Sequence, residues 1–207
     1  MARTESDLQA QKDMTLFHEA ERKKSNILVN GSMMQIWKSR LPYLIITLIG
    51  GMTAGAVIGA FEDALEAVVL LAIFIPVIMD MGGNAGTQSS TIFTRAFVLG
   101  QIDFKKYRKH LAKETLVGAS MGALLGTAAF FIAMLWQGIP ELGLVVGLSL
   151  FFTVTIATAL GFLIPYLLIK LGLDQAAGSD PFITTIKDIS GLLIYFTLAQ
   201  QLLSHMM

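Results

Sequence analysis

Cysteine is absent from all 207 residues. That excludes disulfides, thiolate metal sites and thiol catalysis. Histidine is scarce: His18, His110 and His205 stand far apart, and none has a partner at metal-ligand spacing. Charge is scarce too. Charged residues make up 14% of the chain, against about 25% in ordinary soluble domains. The formal net charge is +0, so no basic footprint points to nucleic acid. The N-terminal region lacks the early apolar core of a secretory signal.

What the chain has is hydrocarbon. Hydrophobic residues account for 54% and the mean hydropathy is +0.65. These values describe an all-α integral membrane protein. A spanning helix needs about 20 apolar residues. Five stretches qualify: Leu41 to Phe61, Ala64 to Leu99, Leu111 to Trp136, Leu142 to Ile169 and Pro181 to Leu203. The second is too long for one straight span, so a kink or break is expected between Pro76 and Gly86. Residues 1–37 read as a polar cytoplasmic tail. An amphipathic helix over 5–24 would carry Leu8, Met14, Leu16 and Phe17 on its apolar side.

Lys and Arg set an expected orientation. They crowd the region before the first span, the link holding Lys105, Lys106, Arg108, Lys109 and Lys113, and the link at Lys170. The links at Glu62–Glu66 and Gln137–Glu141 have none. By the positive-inside rule the N-terminus is cytoplasmic. Five spans then put the C-terminus outside. Gly51, Gly55 and Gly59, and likewise Gly118, Gly122 and Gly126, recur at helical spacing. Both sets are expected to let helices pack closely.

The most informative feature is a polar run inside the second span: Pro76-Val-Ile-Met-Asp-Met-Gly-Gly-Asn-Ala-Gly-Thr-Gln-Ser-Ser-Thr91. Hydrocarbon offers its amides and hydroxyls no hydrogen bonds, so they must face a bundle interior or a watery path. Gly82, Gly83 and Gly86 let backbone approach a partner or a hydrated ion. Asn84, Thr87, Gln88 and Ser89 supply neutral oxygens. Asp80 either joins the path or pairs with a basic group such as Arg95.

The fifth span carries a second polar element. Asp188 lies about 10 Å into it, at 1.5 Å per residue from Pro181, where an unpaired carboxylate costs about 2.5–3.5 kcal/mol on insertion scales. A pair with Lys187 looks poor, since adjacent helical residues point about 100° apart, and Lys187 is expected to snorkel to the cytoplasmic surface. Thr184 shares the Asp188 face, and Asp180 approaches it from the cytoplasmic end. Such a stripe of hard oxygens suits a hydrated divalent cation, Mg²⁺ above all. The acidic cluster Glu62, Asp63 and Glu66 is expected to be either a cation-concentrating entrance or a solvated turn. An intramembrane enzyme is disfavoured, because no His/Glu metal pair, Cys or Ser/His pair lies at depth. A purely regulatory subunit leaves the Asp188 stripe unexplained.

Met81-Gly-Gly-Asn-Ala-Gly-Thr-Gln-Ser-Ser-Thr91, preceded by Pro76, resembles the signature of the MgtE-type magnesium channels. Asp180-Pro-Phe-Ile-Thr-Thr-Ile-Lys-Asp-Ile-Ser-Gly-Leu-Leu-Ile-Tyr-Phe196 resembles that family's last helix. The resemblance covers residues 38–204, and 38–207 form the implied pore domain. It implies a homodimer of five-helix subunits in the cytoplasmic membrane, with a central pore between second and fifth helices and Mg²⁺ as the transported ion. No organic cofactor or nucleic acid is implied. Asp188 matches the family's pore carboxylate and Asn84 its pore asparagine. Asp180, Thr184 and Gly83 complete the expected metal path. A proton- or sodium-coupled divalent cation transporter, for Mg²⁺ or Co²⁺, is the alternative. Typical members precede this domain with large Mg²⁺-sensing cytoplasmic domains. With only residues 1–37 in that place, weak or absent closure by internal Mg²⁺ is expected.

Overall fold

A computed structural model describes residues 19, 22–102 and 106–206. The tail helix expected over 5–24, with Leu8, Met14, Leu16 and Phe17, lies largely outside them. Every regular element among the described residues is helical. Helix α1 covers 22–30. It is followed by α2 (Met33–Ala60), α3 (Glu62–Ala67), α4 (Leu71–Val98), α5 (Tyr107–Gln137), α6 (Pro140–Lys170), α7 (Gln175–Leu202) and a 3-10 turn, Ser204–Met206. Four of them, α2, α5, α6 and α7, are long and apolar enough to cross a membrane. At 28 residues α4 matches α2 and α7 in length, but with the polar run at its centre it does not reach the apolarity that marks the other four. The chain divides between Leu44 and Ile45 into two compact units.

Local chemistry fixes the helix ends. Ser32 and Gln35 form a capping box at the start of α2: the Ser32 N–H donates to Gln35 Oε1 at 2.8 Å. Gly138, at φ 72°, closes α5 in the left-handed conformation, and Pro140 opens α6 at its first position. The Asp174 carboxylate caps α7 by accepting the backbone N–H groups of Ala176 and Ala177 at 3.0 and 3.1 Å.

Within the unit that starts at Ile45, α6 is the central element, packed against α4, α5 and α7. Its glycine contacts show how. Gly118 faces Thr158, Gly122 faces the Phe151 carbonyl and Gly126 faces the Gly147 carbonyl. Rising numbers on α5 meet falling numbers on α6, so the two run antiparallel. Gly82 faces Thr153 and Gly86 faces Ala157, so α4 runs parallel to α6. Thr94 donates to Gln175 and Thr87 to Asp180, so α4 and α7 run antiparallel. Gly50 faces Thr185 and Phe61 stacks on Phe196 at 4.9 Å, so this part of α2 runs with α7. The long helices thus alternate in direction. Arg95, Lys106, Arg108, Lys109, Lys113 and Lys170 therefore fall at one end of the bundle, and Glu62, Asp63, Glu66 and Glu141 at the other.

Of the kink or break expected between Pro76 and Gly86, the break does not occur: α4 is continuous through Pro76 and on to Val98. The interruption comes earlier, between Ala67 and Leu71. Pro76 sits in the second turn of α4, where its missing N–H leaves only the carbonyl four residues back without its usual partner. Gly82 and Gly86 are held helical by α6 packed against them. At the real break, the buried Tyr195 hydroxyl donates to the Leu71 carbonyl at 2.8 Å. On α2, Gly51, Gly55 and Gly59 meet no neighbour within 4 Å of where a Cβ would stand among the described residues of one copy, and α2 is the least buried of the four apolar helices. The Gly118 set meets its expectation in full.

A Cβ at residue 126 would stand 2.5 Å from the Gly147 carbonyl oxygen, a backbone atom that cannot swing aside. Gly126→Ala is therefore expected to destabilise by about 1–3 kcal/mol. Gly51→Ala should leave stability unchanged or slightly raised. Thermal unfolding in detergent compares the two.

Candidate functional site

The polar run of α4 is divided between two faces. Gly82, Ala85, Gly86, Ser89 and Ser90 are buried. Ser89 Oγ donates to the Thr158 carbonyl at 2.9 Å, so this face is satisfied against α6. Asp80, Asn84, Thr87, Gln88 and Thr91 are exposed. Their spacing of three and four places them on one stripe. The spacing itself enforces the split: residues two apart, such as Gly82 and Asn84, point to different sides.

Helix α7 borders that stripe. Thr87 Oγ1 donates to Asp180 Oδ1 at 3.4 Å. Thr94 Oγ1 donates to Gln175 Oε1 at 3.2 Å. This antiparallel register brings Asn84 level with Thr184, and Asp80 level with Asp188. Asp180 is exposed, while Thr184 and Asp188 are partly buried. Thr184 Oγ1 donates back to the Asp180 carbonyl at 2.8 Å. Its hydroxyl oxygen keeps lone pairs for another donor. Asn84 Nδ2 donates to Asp80 Oδ2 at 3.1 Å, one turn away. Asp80 thus pairs with Asn84. Arg95 lies about 22 Å further along α4, at 1.5 Å per residue.

The Lys187 expectation is overturned. Lys187 does not snorkel; it is 4% exposed. Its Nζ lies 2.5 Å from Asp188 Oδ1 and donates to the Met79 carbonyl of α4. A 100° offset between neighbours did not prevent the pair, because the long, flexible lysine stem reaches round the helix. Gly82 and Gly83 make room for it. A Cβ on Gly83 would stand 3.3 Å from Nζ, and one on Gly82 3.3 Å from Cδ. Gly83, expected on the metal path, therefore borders the lysine. Sequence reasoning missed this role for Lys187. The adjacent Gly82-Gly83 pair was its only signal, and it stands about a hundred residues away.

Beyond Asp180 the stripe opens into a cavity of about 440 Å³ at the basic end of the bundle, lined in part by Thr91, Thr94, Arg95, Gln175, Ser179 and Asp180. Among the described residues no three His, Asp or Glu side chains converge on one point. The arrangement is a row of single oxygens rather than a closed coordination cage. A row of that kind suits an ion that keeps its water shell.

The family model for MgtE, described as a divalent cation transporter, matches residues 75–198. This chain belongs to the MgtE family. Its relatives include the magnesium transporter MgtE of Thermus thermophilus, 38% identical over 170 residues, which cover 81% of this chain and 37% of that protein. The magnesium transporter MgtE of Bacillus subtilis is 41% identical over 160 residues, 77% of this chain and 36% of the relative. The magnesium transporter MgtE of Enterococcus faecalis is 34% identical over 177 residues, 86% of this chain and 39% of the relative. The chain thus spans less than two fifths of the length of these relatives. The MgtE match includes both the α4 polar run and the Asp180–Asp188 segment of α7.

The α4–α7 register has a direct test in a chain that lacks cysteine. Thr87→Cys with Asp180→Cys should be joined within one chain by a short bis-thiosulfonate linker. Thr87→Cys with Asp188→Cys should not, since residue 188 lies about 12 Å further along α7. Intact mass of the monomer band reads the linkage.

Proposed function

We propose that this chain conducts hydrated Mg²⁺ across the cytoplasmic membrane through a passage formed between two copies. The observation that carries this reading is the exposed α4 stripe of Asp80, Asn84, Thr87, Gln88 and Thr91 beside Asp180, Thr184 and Asp188 of α7. Hydrocarbon cannot satisfy that row; water or a second copy can. One copy supplies one wall. A two-fold axis beside α4 and α7 doubles each carboxylate and encloses the water. The relatives, all named as magnesium transporters, support Mg²⁺ as the ion.

In this reading α4 is the remaining one of five spans, tolerated at lower apolarity because its polar face turns to the passage. The alternating helix directions and the gathering of Lys and Arg at one end support a cytoplasmic basic end. The metal path comprises Asp188, Asn84, Asp180 and Thr184, with Gly83 behind it. Asp188 holds the ion through its waters, since Mg²⁺ sheds them reluctantly. Asn84 and Thr184 hydrogen-bond the outer waters. Asp180 meets the ion at the basic end, where its charge offsets Arg95 and the nearby lysines. Carboxylates set singly along the row bind weakly enough to release the ion, as conduction requires.

Purified chain in proteoliposomes is the test. Mg²⁺ influx is expected down its own gradient with no proton or sodium gradient applied. Uptake that stalls without such a gradient would instead indicate a coupled transporter. Asp188→Asn should fold and lose about tenfold or more of the Mg²⁺ flux, since a contact to a charged group contributes about 1.5–3 kcal/mol. Native mass measurement should find two chains per particle. A conducting single chain, or an Asn variant with full flux, contradicts the reading.

A further inference from the structure

Lys187 is the only charged residue among the described residues that is buried, and nothing in the passage as described requires it. A cation beside an ion-binding carboxylate has two possible uses. It acts as a plug that leaves when the ion arrives, or as a fixed counter-charge behind the carboxylate.

The geometry decides between them. A plug would sit on the exposed side and have nothing else to hold it. Lys187 is held at its head and along its stem. Its Nζ donates to the Met79 carbonyl. Its stem lies in the gap left by Gly82 and Gly83. Thr153 of α6 presses on the same gap, with its Cγ2 only 2.7 Å from the Gly82 Cβ position. The lysine side chain is 5% exposed and the Asp188 side chain 19%. Asp188 Oδ1, the oxygen beside Nζ, is itself buried. The exposure of Asp188 therefore lies on the side away from the lysine. One face of the carboxylate is committed to a fixed cation and the other remains open.

We propose that Lys187 is a specificity-determining residue: a fixed counter-charge that tempers the field of Asp188, so that a divalent cation is held and released while a monovalent one is not held. This rests on the reading of Asp188 as the ion-binding carboxylate of the passage. An ion's energy in a given potential scales with its charge. A bare carboxylate at low dielectric binds Mg²⁺ too tightly for rapid release, and it also attracts Na⁺. A cation fixed behind the carboxylate makes the potential shallower. The monovalent ion then gains too little to pause there, and the divalent ion still gains twice as much. Conduction needs binding of that intermediate strength. The lysine touches no ion. It acts through Asp188.

The test uses the full chain in proteoliposomes, with Mg²⁺ influx measured over a concentration series and Na⁺ flux measured without divalent ions. Lys187→Met keeps the length of the stem and removes the charge. Its half-saturating Mg²⁺ concentration should fall several-fold and its maximal flux should fall with it. Its Na⁺ flux should rise several-fold. Lys187→Gln also removes the charge but keeps a donor for the Met79 carbonyl, and it should show the same three changes. It decides the matter if the Met variant fails to fold. A folded variant with unchanged half-saturation and unchanged Na⁺ flux overturns the proposal, as does a raised half-saturation. Failure of both variants to fold also overturns it, since Lys187 then holds helices together rather than setting selectivity. Absence of Mg²⁺ flux in the unsubstituted chain is a different outcome: it removes the reading of the passage itself.

Discussion

A polar group at membrane depth must find its hydrogen bonds in protein or in water, and α4, taken as the proposed fifth span, carries a longer row of such groups than one neighbour can satisfy. Helix α6 takes one face. It accepts the Ser89 hydroxyl through the Thr158 carbonyl and closes on Gly82 and Gly86. The face with Asn84, Thr87 and Gln88 remains exposed, joined to α7 at its edge through Asp180. The bundle accordingly has a closed side centred on α6 and an open polar side at α4 and α7. The proposed passage follows from that asymmetry.

The closed side is rigid for a simple reason. Glycines at 118, 122 and 126 bring α5 so near α6 that the Thr158 side chain and the Phe151 and Gly147 carbonyls stand where their side chains would otherwise be. Interiors packed this closely transmit small displacements instead of absorbing them. The wall behind the stripe is therefore a fixed surface, and the position of Asp188 is set by α7 and its lysine. Lys187 joins the two sides. Its stem belongs to the closed wall and its charge acts on the open one.

Much of this was legible in the sequence, and the limits have physical causes. Apolar length located the long helices, and the distribution of Lys and Arg gave one basic end, because both depend on local composition alone. The polar run and Asp188 stood out as groups that lipid cannot satisfy. The family followed from the same residues. The fate of Lys187 was not legible, because it depends on Met79 and on two glycines more than a hundred positions away. Snorkelling is what an isolated helix would do, whereas here the gap at Gly82-Gly83 offers a shorter route to a partner. The Pro76 region misled for a related reason. Proline and glycine disfavour a helix in isolation, but α6 holds that segment helical. Gly51, Gly55 and Gly59 have the same spacing as Gly118, Gly122 and Gly126, yet the chain supplies a partner helix to only one set. Spacing reports the capacity to pack closely but does not identify what fills the gap.

A passage of the proposed kind requires that the α4 stripe face water at membrane depth. The absence of native cysteine allows a direct measurement: single cysteines at Asn84, Gln88 and Thr91, and at the apolar exposed positions Leu116 and Leu124 of α5, treated in membranes with a hydrophilic, lipid-insoluble thiol reagent. Labelling is expected at the three α4 positions, slowed by Mg²⁺, and none at the two α5 positions. Silent α4 positions, or labelling indifferent to Mg²⁺ and equal on both helices, would show that the stripe does not line a watery path.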